Sequence, residues 1–142
     1  MRSVRGILKS KGDSVWSVGP DDSVFEALRI MADKGVGALL VLQAGRVVGI
    51  FSERDYARKG ILEGRASKDT PVRDIMTERV VYVSPGQTLE ECLALMTDKR
   101  IRHLPVMEED ELLGVVSIGD LVKGIIDHQK FLIQQLEHYV SH

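Results

Sequence analysis

A chain of 142 residues with 44% hydrophobic and 28% charged residues has the balance of an ordinary folded globule, and its length allows a core that needs neither disulfide nor metal. A net charge of −2 with acids and bases interspersed argues against nonspecific nucleic-acid binding, which requires a basic face, and no apolar run approaches the roughly 20 residues that span a bilayer. No apolar leader follows Met1-Arg2-Ser3, and the single Cys92 lies within an apolar helical pattern, so the expectation is a cytoplasmic protein with a buried structural thiol.

In chain order, an N-terminal segment (1–14) precedes a short strand, Val15–Val18, that runs into a Pro20 turn. Ser23 with Glu26 then has the S/T-x-x-E form of a capping box, and Val24, Leu28, Met31 and Ala32 recur at helical spacing. Two apolar strands follow, 38–42 and 47–51, joined by Gln43-Ala44-Gly45-Arg46, and a second helix opens at Ser52. A polar connector covers 60–77. The same order then returns: strand Val80–Val83, cap Thr88 with Glu91, helical Leu89, Cys92, Leu93 and Met96, strands 103–107 and 112–116, and a helix opening at Ser117.

Sliding the chain by 65 residues lays Val18–Tyr56 on Val83–Leu121 without a gap, and twelve of the 39 pairs are identical, among them Pro20/Pro85, Met31/Met96, Gly49/Gly114, Ser52/Ser117 and Asp55/Asp120. The chain is therefore a duplicated βαββα unit. The boundaries are repeat 1 at 15–62, a linker at 63–79, repeat 2 at 80–128 and a helical extension at 129–142. Each unit is too small to hold a core alone, so the two are expected to form one α/β (α+β) body with pseudo-twofold symmetry and clefts where the sheets meet.

Each second hairpin strand ends in Gly-h-h-Ser-x-x-Asp, with h apolar: Gly49 to Asp55 and Gly114 to Asp120. One such motif reads equally well as a helix start, with Ser at the N-cap and Asp favouring the positive helix end. The same geometry offers free N–H groups to an anion and a carboxylate to a ribose diol, and the glycine admits a ligand or a neighbouring backbone. Two copies in one frame favour a binding role.

This repeat with Gly-h-h-Ser-x-x-Asp resembles the cystathionine-β-synthase (CBS) domain, whose motif is G-h-x-S/T-x-x-D/N, and Arg100-Ile101-Arg102-His103-Leu104-Pro105-Val106 is also typical of that family. The resemblance covers about residues 15–135. It implies a CBS pair, or Bateman module, with two clefts for adenine-containing ligands such as AMP, ADP, ATP, NAD or S-adenosylmethionine. By position it groups Ile50, Ser52, Arg54 and Asp55 with Ser84, Leu89, Ile101 and Arg102 in one site. It groups Val115, Ser117, Gly119 and Asp120 with Gly19, Val24, Val36 and Gly37 in the other. Asp55 and Asp120 would hold ribose hydroxyls, Ser52 and Ser117 would meet ribose or phosphate, and apolar residues would sandwich the adenine. The first copy departs from the pattern at Leu40, where the second has Pro105, and this bears on the turn near Gly37.

Charge differs between the copies. Arg54 and Arg102 fall to the Asp55 site, while Gly119 and Gly37 fall to the Asp120 site, so the first is expected to prefer a phosphorylated ligand. Leu121, Val122, Ile125, Ile126, Leu132, Ile133, Leu136 and Val140 continue a long C-terminal helix whose far half keeps an apolar stripe, which points to homodimerisation. No cysteine joins His103, His128, His138 and His142, and solvated or ordinarily packed histidines are expected rather than metal ligands. Lys9, Lys11, Arg58 and Lys59 read as a solvated basic surface, and Trp16, Phe51 and Tyr56 as core. No nucleophile–base pair, carboxylate pair or phosphate loop is present, so the expectation is not an enzyme but a regulatory adenine-nucleotide sensor acting through a dimer or an unknown effector protein. A ligand-free dimerisation adaptor is the alternative.

Overall fold

The computed structural model describes residues 3–12 and 14–141. The chain divides into two units that do not follow chain order. One runs from Val15 to Val80, and the other joins the N-terminal segment up to Ser14 to the chain from Val81 onward. The linker 63–79 thus folds into the first repeat's unit, and the N-terminal segment folds into the second's.

In the first unit, β1 (Ser17–Val18) pairs parallel with β2 (Ala38–Gln43), which pairs antiparallel with β3 (Arg46–Ser52). The turn between β2 and β3 places Ala44 and Gly45 at φ 52° and 77°, the left-handed pair that matches strand twist in a two-residue hairpin. Helix α2 (Val24–Lys34) begins where the Ser23 hydroxyl accepts the Glu26 N–H, and it ends at Gly35 with φ 66°. The reciprocal half of the expected capping box is not made, because Glu26 Oε1 instead accepts from Arg29 Nη2 at 2.7 Å.

The apolar face of α2 (Val24, Ala27, Met31) meets Val18, Leu39, Val41 and Phe51 from the sheet. A 3₁₀ turn at Val72–Asp74 carries Val72 and Ile75 of the linker into this core. Each such burial contributes about 1.5–3 kcal/mol, enough to hold a polar connector in place. After Ser52 the helix is brief: α3 (Glu53–Asp55) passes into a π-turn at Tyr56–Gly60 and a 3₁₀ turn at Ile61–Glu63. The expectation that Trp16, Phe51 and Tyr56 are core holds only in part. Phe51 is fully buried and Tyr56 packs at the core edge, but Trp16 is exposed, with Lys34 Nζ 4.4 Å above its ring.

In the second unit, α1 (Val4–Lys11) leads, followed by α4 (Leu89–Lys99), the hairpin β4 (His103–Glu108) and β5 (Glu111–Ser117), and α5 (Ile118–Ser141). Helix α4 carries a complete capping box between Thr88 and Glu91, whose carboxyl the Thr88 N–H holds below its ordinary pKa. Helix α1 docks through backbone bonds from Val4 N–H to Gln87 O and from Arg5 N–H to Pro85 O, and it buries Val4 and Ile7. These two join Val83, Leu89, Cys92, Met96, Leu104, Val106, Val116 and Leu121 in one core. Burial pushes the Cys92 thiol up to about 11, with Glu91 adding to the shift, so it stays protonated and inert.

The strand expected at Val80–Val83 is reduced to one bridge, Val83 with Val106, and the sheet has two strands rather than three. Pro105 is the reason. In the first unit Leu40 N–H donates to Trp16 O at 3.2 Å, whereas Pro105, at the same ladder position, has no N–H to give. Both hairpins keep the same register shift, between Val41 and Leu42 and between Val106 and Met107. Helix α5 extends about 36 Å at 1.5 Å per residue over its 24 residues. Leu121 is buried, while Phe131, Leu132, Ile133, Leu136, Tyr139 and Val140 are exposed. Among the described residues no helix is long and apolar enough to cross a membrane.

Candidate functional site

In each unit a β-strand delivers Ser directly into the N-cap of a helix, and three residues later an Asp closes the box. The Ser52 hydroxyl accepts the Asp55 N–H at 3.2 Å, and Asp55 Oδ2 accepts the Ser52 N–H at 3.0 Å and its hydroxyl at 3.1 Å. In the second unit the Ser117 hydroxyl accepts the Asp120 N–H at 3.1 Å, and Asp120 Oδ2 accepts the Ser117 N–H at 2.8 Å. The following helix residue is tied to the start of the hairpin in both units: Glu53 N–H donates to Gly37 O, and Ile118 N–H donates to Arg102 O. Reciprocal capping fixes each carboxylate's rotamer at a strand-to-helix corner, so it is preorganised rather than free to swing.

The carboxylates have different further partners. Asp55 Oδ1 accepts the Thr77 hydroxyl at 3.0 Å, and Lys59 Nζ lies 3.7 Å away. Thr77 is held there by a backbone pair with Ile50, which satisfies both main-chain groups of Ile50. Asp120 Oδ2 accepts from Lys11 Nζ at 2.7 Å, and the same ammonium donates to Val115 O at 3.0 Å. Burial works against ionisation of Asp120, but the bonds from Lys11 and Ser117 outweigh it and hold the carboxyl below its usual range. His103, paired across the ladder with Ser117, is held below its ordinary value by burial; Asp120 opposes the shift and Lys11 and Arg102 add to it.

The motif glycines are now explained by close approach of the chain itself. A Cβ on Gly49 would stand 2.7 Å from Met76 Sδ, and one on Gly114 would stand 2.8 Å from Leu8 Cδ2. Of the residues grouped by resemblance, Gly37 shares a unit with Ile50, Ser52, Arg54 and Asp55, and Arg102 shares one with Val115, Ser117, Gly119 and Asp120. Gly19, Val24 and Val36 belong to the first unit, and Ser84, Leu89 and Ile101 to the second. Val24 and Leu89 are fully buried in their own cores; Ser84 N–H donates to Gln87 Oε1, and Gly19 N–H to Asp22 Oδ2.

Lys11, Lys59 and Thr77 were missed as partners of the acids. Lys11 is not simply solvated, as its sequence context suggested, because α1 carries it to Asp120. The signal was present: Val4, Ile7 and Leu8 at helical spacing, with Gly12 beyond. Among the described residues no group of three or more His, Cys, Asp or Glu could hold a metal, and His142 lies outside them.

A family model described as CBS domain matches residues 7–60 and 72–127. The mitochondrial CBS domain-containing protein CBSX3 of Arabidopsis thaliana is 40% identical over 149 residues, which cover 98% of this chain and 72% of that protein. The crystal structure of the CBS domain protein NE2398 superposes with a TM-score of 0.84 at 48% identity, over 88% of this chain and 98% of that one. The CBS domain pair of protein MJ0100, solved with 5′-methylthioadenosine and S-adenosyl-L-methionine, shares the fold with a TM-score of 0.78 at 20% identity, over 89% of this chain and 97% of that one.

Proposed function

This chain belongs to the CBS domain family, whose paired repeats are generally regulatory, and from that premise we propose that it is a regulatory module whose two Ser/Asp helix starts each hold an adenosyl ligand. The observation that carries the reading is the duplication itself. One carboxylate-bearing corner, with the same capping bonds and the same strand-to-helix junction, is built twice from sequences that differ at most other positions. Ser23 with Glu26 and Thr88 with Glu91 are duplicated helix starts of the same capping form; the Ser52/Asp55 and Ser117/Asp120 corners differ from them in that a strand ends directly in the cap.

In this reading Asp55 and Asp120 take ribose hydroxyls, and Ser52 and Ser117 meet the ribose or first phosphate. AMP, ADP, ATP, NAD and S-adenosylmethionine share the group being read. That the fold of MJ0100 holds adenosyl ligands supports this class of compound. The chain is read as non-catalytic. Its output passes through a dimer or a separate effector, with the exposed apolar stripe of α5 (Phe131, Leu132, Leu136) as the homodimer contact. Removing residues 129–142 halves the mass measured by light scattering if that contact is the right one; an unchanged mass assigns the stripe elsewhere. A reducing compartment suits the free Cys92. The cytoplasm is one, and the organelle in the Arabidopsis relative's name is another.

A dimerisation adaptor without ligand is the second reading. It is favoured by one observation, that both acids are engaged by the chain's own Thr77 and Lys11. A thermal-shift panel of the five compounds separates the two. Ligand at a hundredfold excess over its dissociation constant adds about 2.7 kcal/mol. That raises the melting temperature on the order of several degrees in a domain of this size. No shift with any compound leaves the adaptor.

A further inference from the structure

Lys11 reaches the second-repeat corner from outside the motif. It is the last residue of α1, and its ammonium bridges Asp120 Oδ2 and the Val115 carbonyl. The Ser117 N–H takes Oδ2 as well, so that oxygen carries two donors while Oδ1 carries neither of these bonds. A ribose diol that grips both carboxylate oxygens needs a place on Oδ2, and the ammonium stands in it. Charge-assisted bonds of this kind are about twice as strong as neutral ones.

A neutral adenosyl compound must therefore part Lys11 from its carboxylate and leave the ammonium without a counter-charge. A phosphorylated one brings a replacement anion on the same sugar. The lysine stem is flexible and is anchored at a helix end, so the ammonium can turn while α1 stays docked. Resting on the adenosyl reading of this corner, we propose that Lys11 is its specificity-determining residue. It holds Asp120 in the place a ribose would take, and it selects ligands carrying a 5′-phosphate over neutral adenosyl compounds. The first repeat differs in what holds its acid: the backbone bonds of Val72 and Arg73 match those of Val4 and Arg5, which makes Arg79 the counterpart of Lys11, and Asp55 is met by the Thr77 hydroxyl on Oδ1, with Lys59 Nζ 3.7 Å away. Within the second unit, the charge lacking at Gly119 is supplied by the N-terminal helix.

The test uses the full chain labelled with nitrogen-15, in wild type, Lys11→Met and Lys11→Arg, titrated with AMP and with adenosine. The amide signals of Ser117 and Asp120 report this corner by itself. Wild type and Lys11→Arg bind AMP more tightly than adenosine by about tenfold or more, the scale of one hydrogen bond to a charged group. In Lys11→Met the ratio closes to within roughly threefold, chiefly because adenosine binds better once the internal competitor is gone. An unchanged ratio in Lys11→Met, or equal weakening of both ligands, overturns the proposal and leaves the site standing. Response at Ser52 and Asp55 but not at Ser117 and Asp120 overturns it while sparing the first-repeat site. No response anywhere overturns the adenosyl reading itself.

Discussion

The Thr77 hydroxyl donates to Asp55 Oδ1 at 3.0 Å, tying the linker to the first repeat's helix start 22 residues earlier in the chain. Asp55 is half-buried, its side chain 13% exposed, so the bond is made to a carboxylate only partly shielded from water. Replacing Thr77 by Val keeps the shape and removes the donor. The expected loss is about 1–2 kcal/mol in urea unfolding, with Thr77→Ser close to wild type. Equal stability of the Val and Ser variants would show that the hydroxyl contributes nothing.

Gly49 and Gly114 are equivalent in sequence but not in what surrounds them. A methyl on Gly49 meets the Met76 sulfur at 2.7 Å and the Thr77 backbone oxygen at 3.0 Å, and the backbone cannot yield cheaply. A methyl on Gly114 meets only the tip of Leu8 at 2.8 Å, a side chain end that can rotate. Gly49→Ala is therefore expected to cost about 1–3 kcal/mol, and Gly114→Ala less than about 1 kcal/mol. Denaturant midpoints of the two variants decide, and the reverse order would contradict the packing described.

Acidification should weaken the second unit in two separate windows. The folded-state pKa of His103 is depressed, chiefly by burial, so the unfolded chain takes up its proton more readily and stability falls as pH drops below about 6.5. Asp120 also has a depressed folded pKa, because Lys11 and Ser117 overcome the opposing effect of burial. Its contribution is present above about pH 4 and is lost as pH falls through the folded value. Melting temperatures from pH 8 to pH 3 should show both falls in wild type. His103→Gln should remove only the upper one, and Lys11→Met should shrink the lower one, because without the ammonium the folded value of Asp120 moves back toward the unfolded one.

The repeat, the helices α2 and α4 and both hairpins were legible because apolar spacing and capping residues act locally, and Ser23, Thr88 and Gly35 mark their own helix ends. Ladder completeness was not legible in the same way. Val80–Val83 has the apolar pattern of a strand, but a strand needs donors from its neighbour, and Pro105 withholds one. The acids Asp55 and Asp120 could be read as paired corners, yet their partners could not. Lys11 lies 109 residues from Asp120 in sequence, and only the docking of α1 through Val4 and Ile7 brings them together. The π-turn after Asp55 left no trace in the pattern, since Tyr56–Gly60 reads as ordinary helix until Gly60 closes against Tyr56.

Calorimetric titration of AMP into the full chain and into Asp55→Asn, Asp120→Asn and the double variant tests the account most directly. Asn keeps an oxygen for the Ser52 or Ser117 N–H, so the helix starts survive while the charge that grips a diol is lost. The account predicts two ligands bound per wild-type chain, one per single variant and none per double variant, with melting temperatures confirming that each is folded. Binding that persists unchanged in the double variant, or no binding to the wild type, would contradict it.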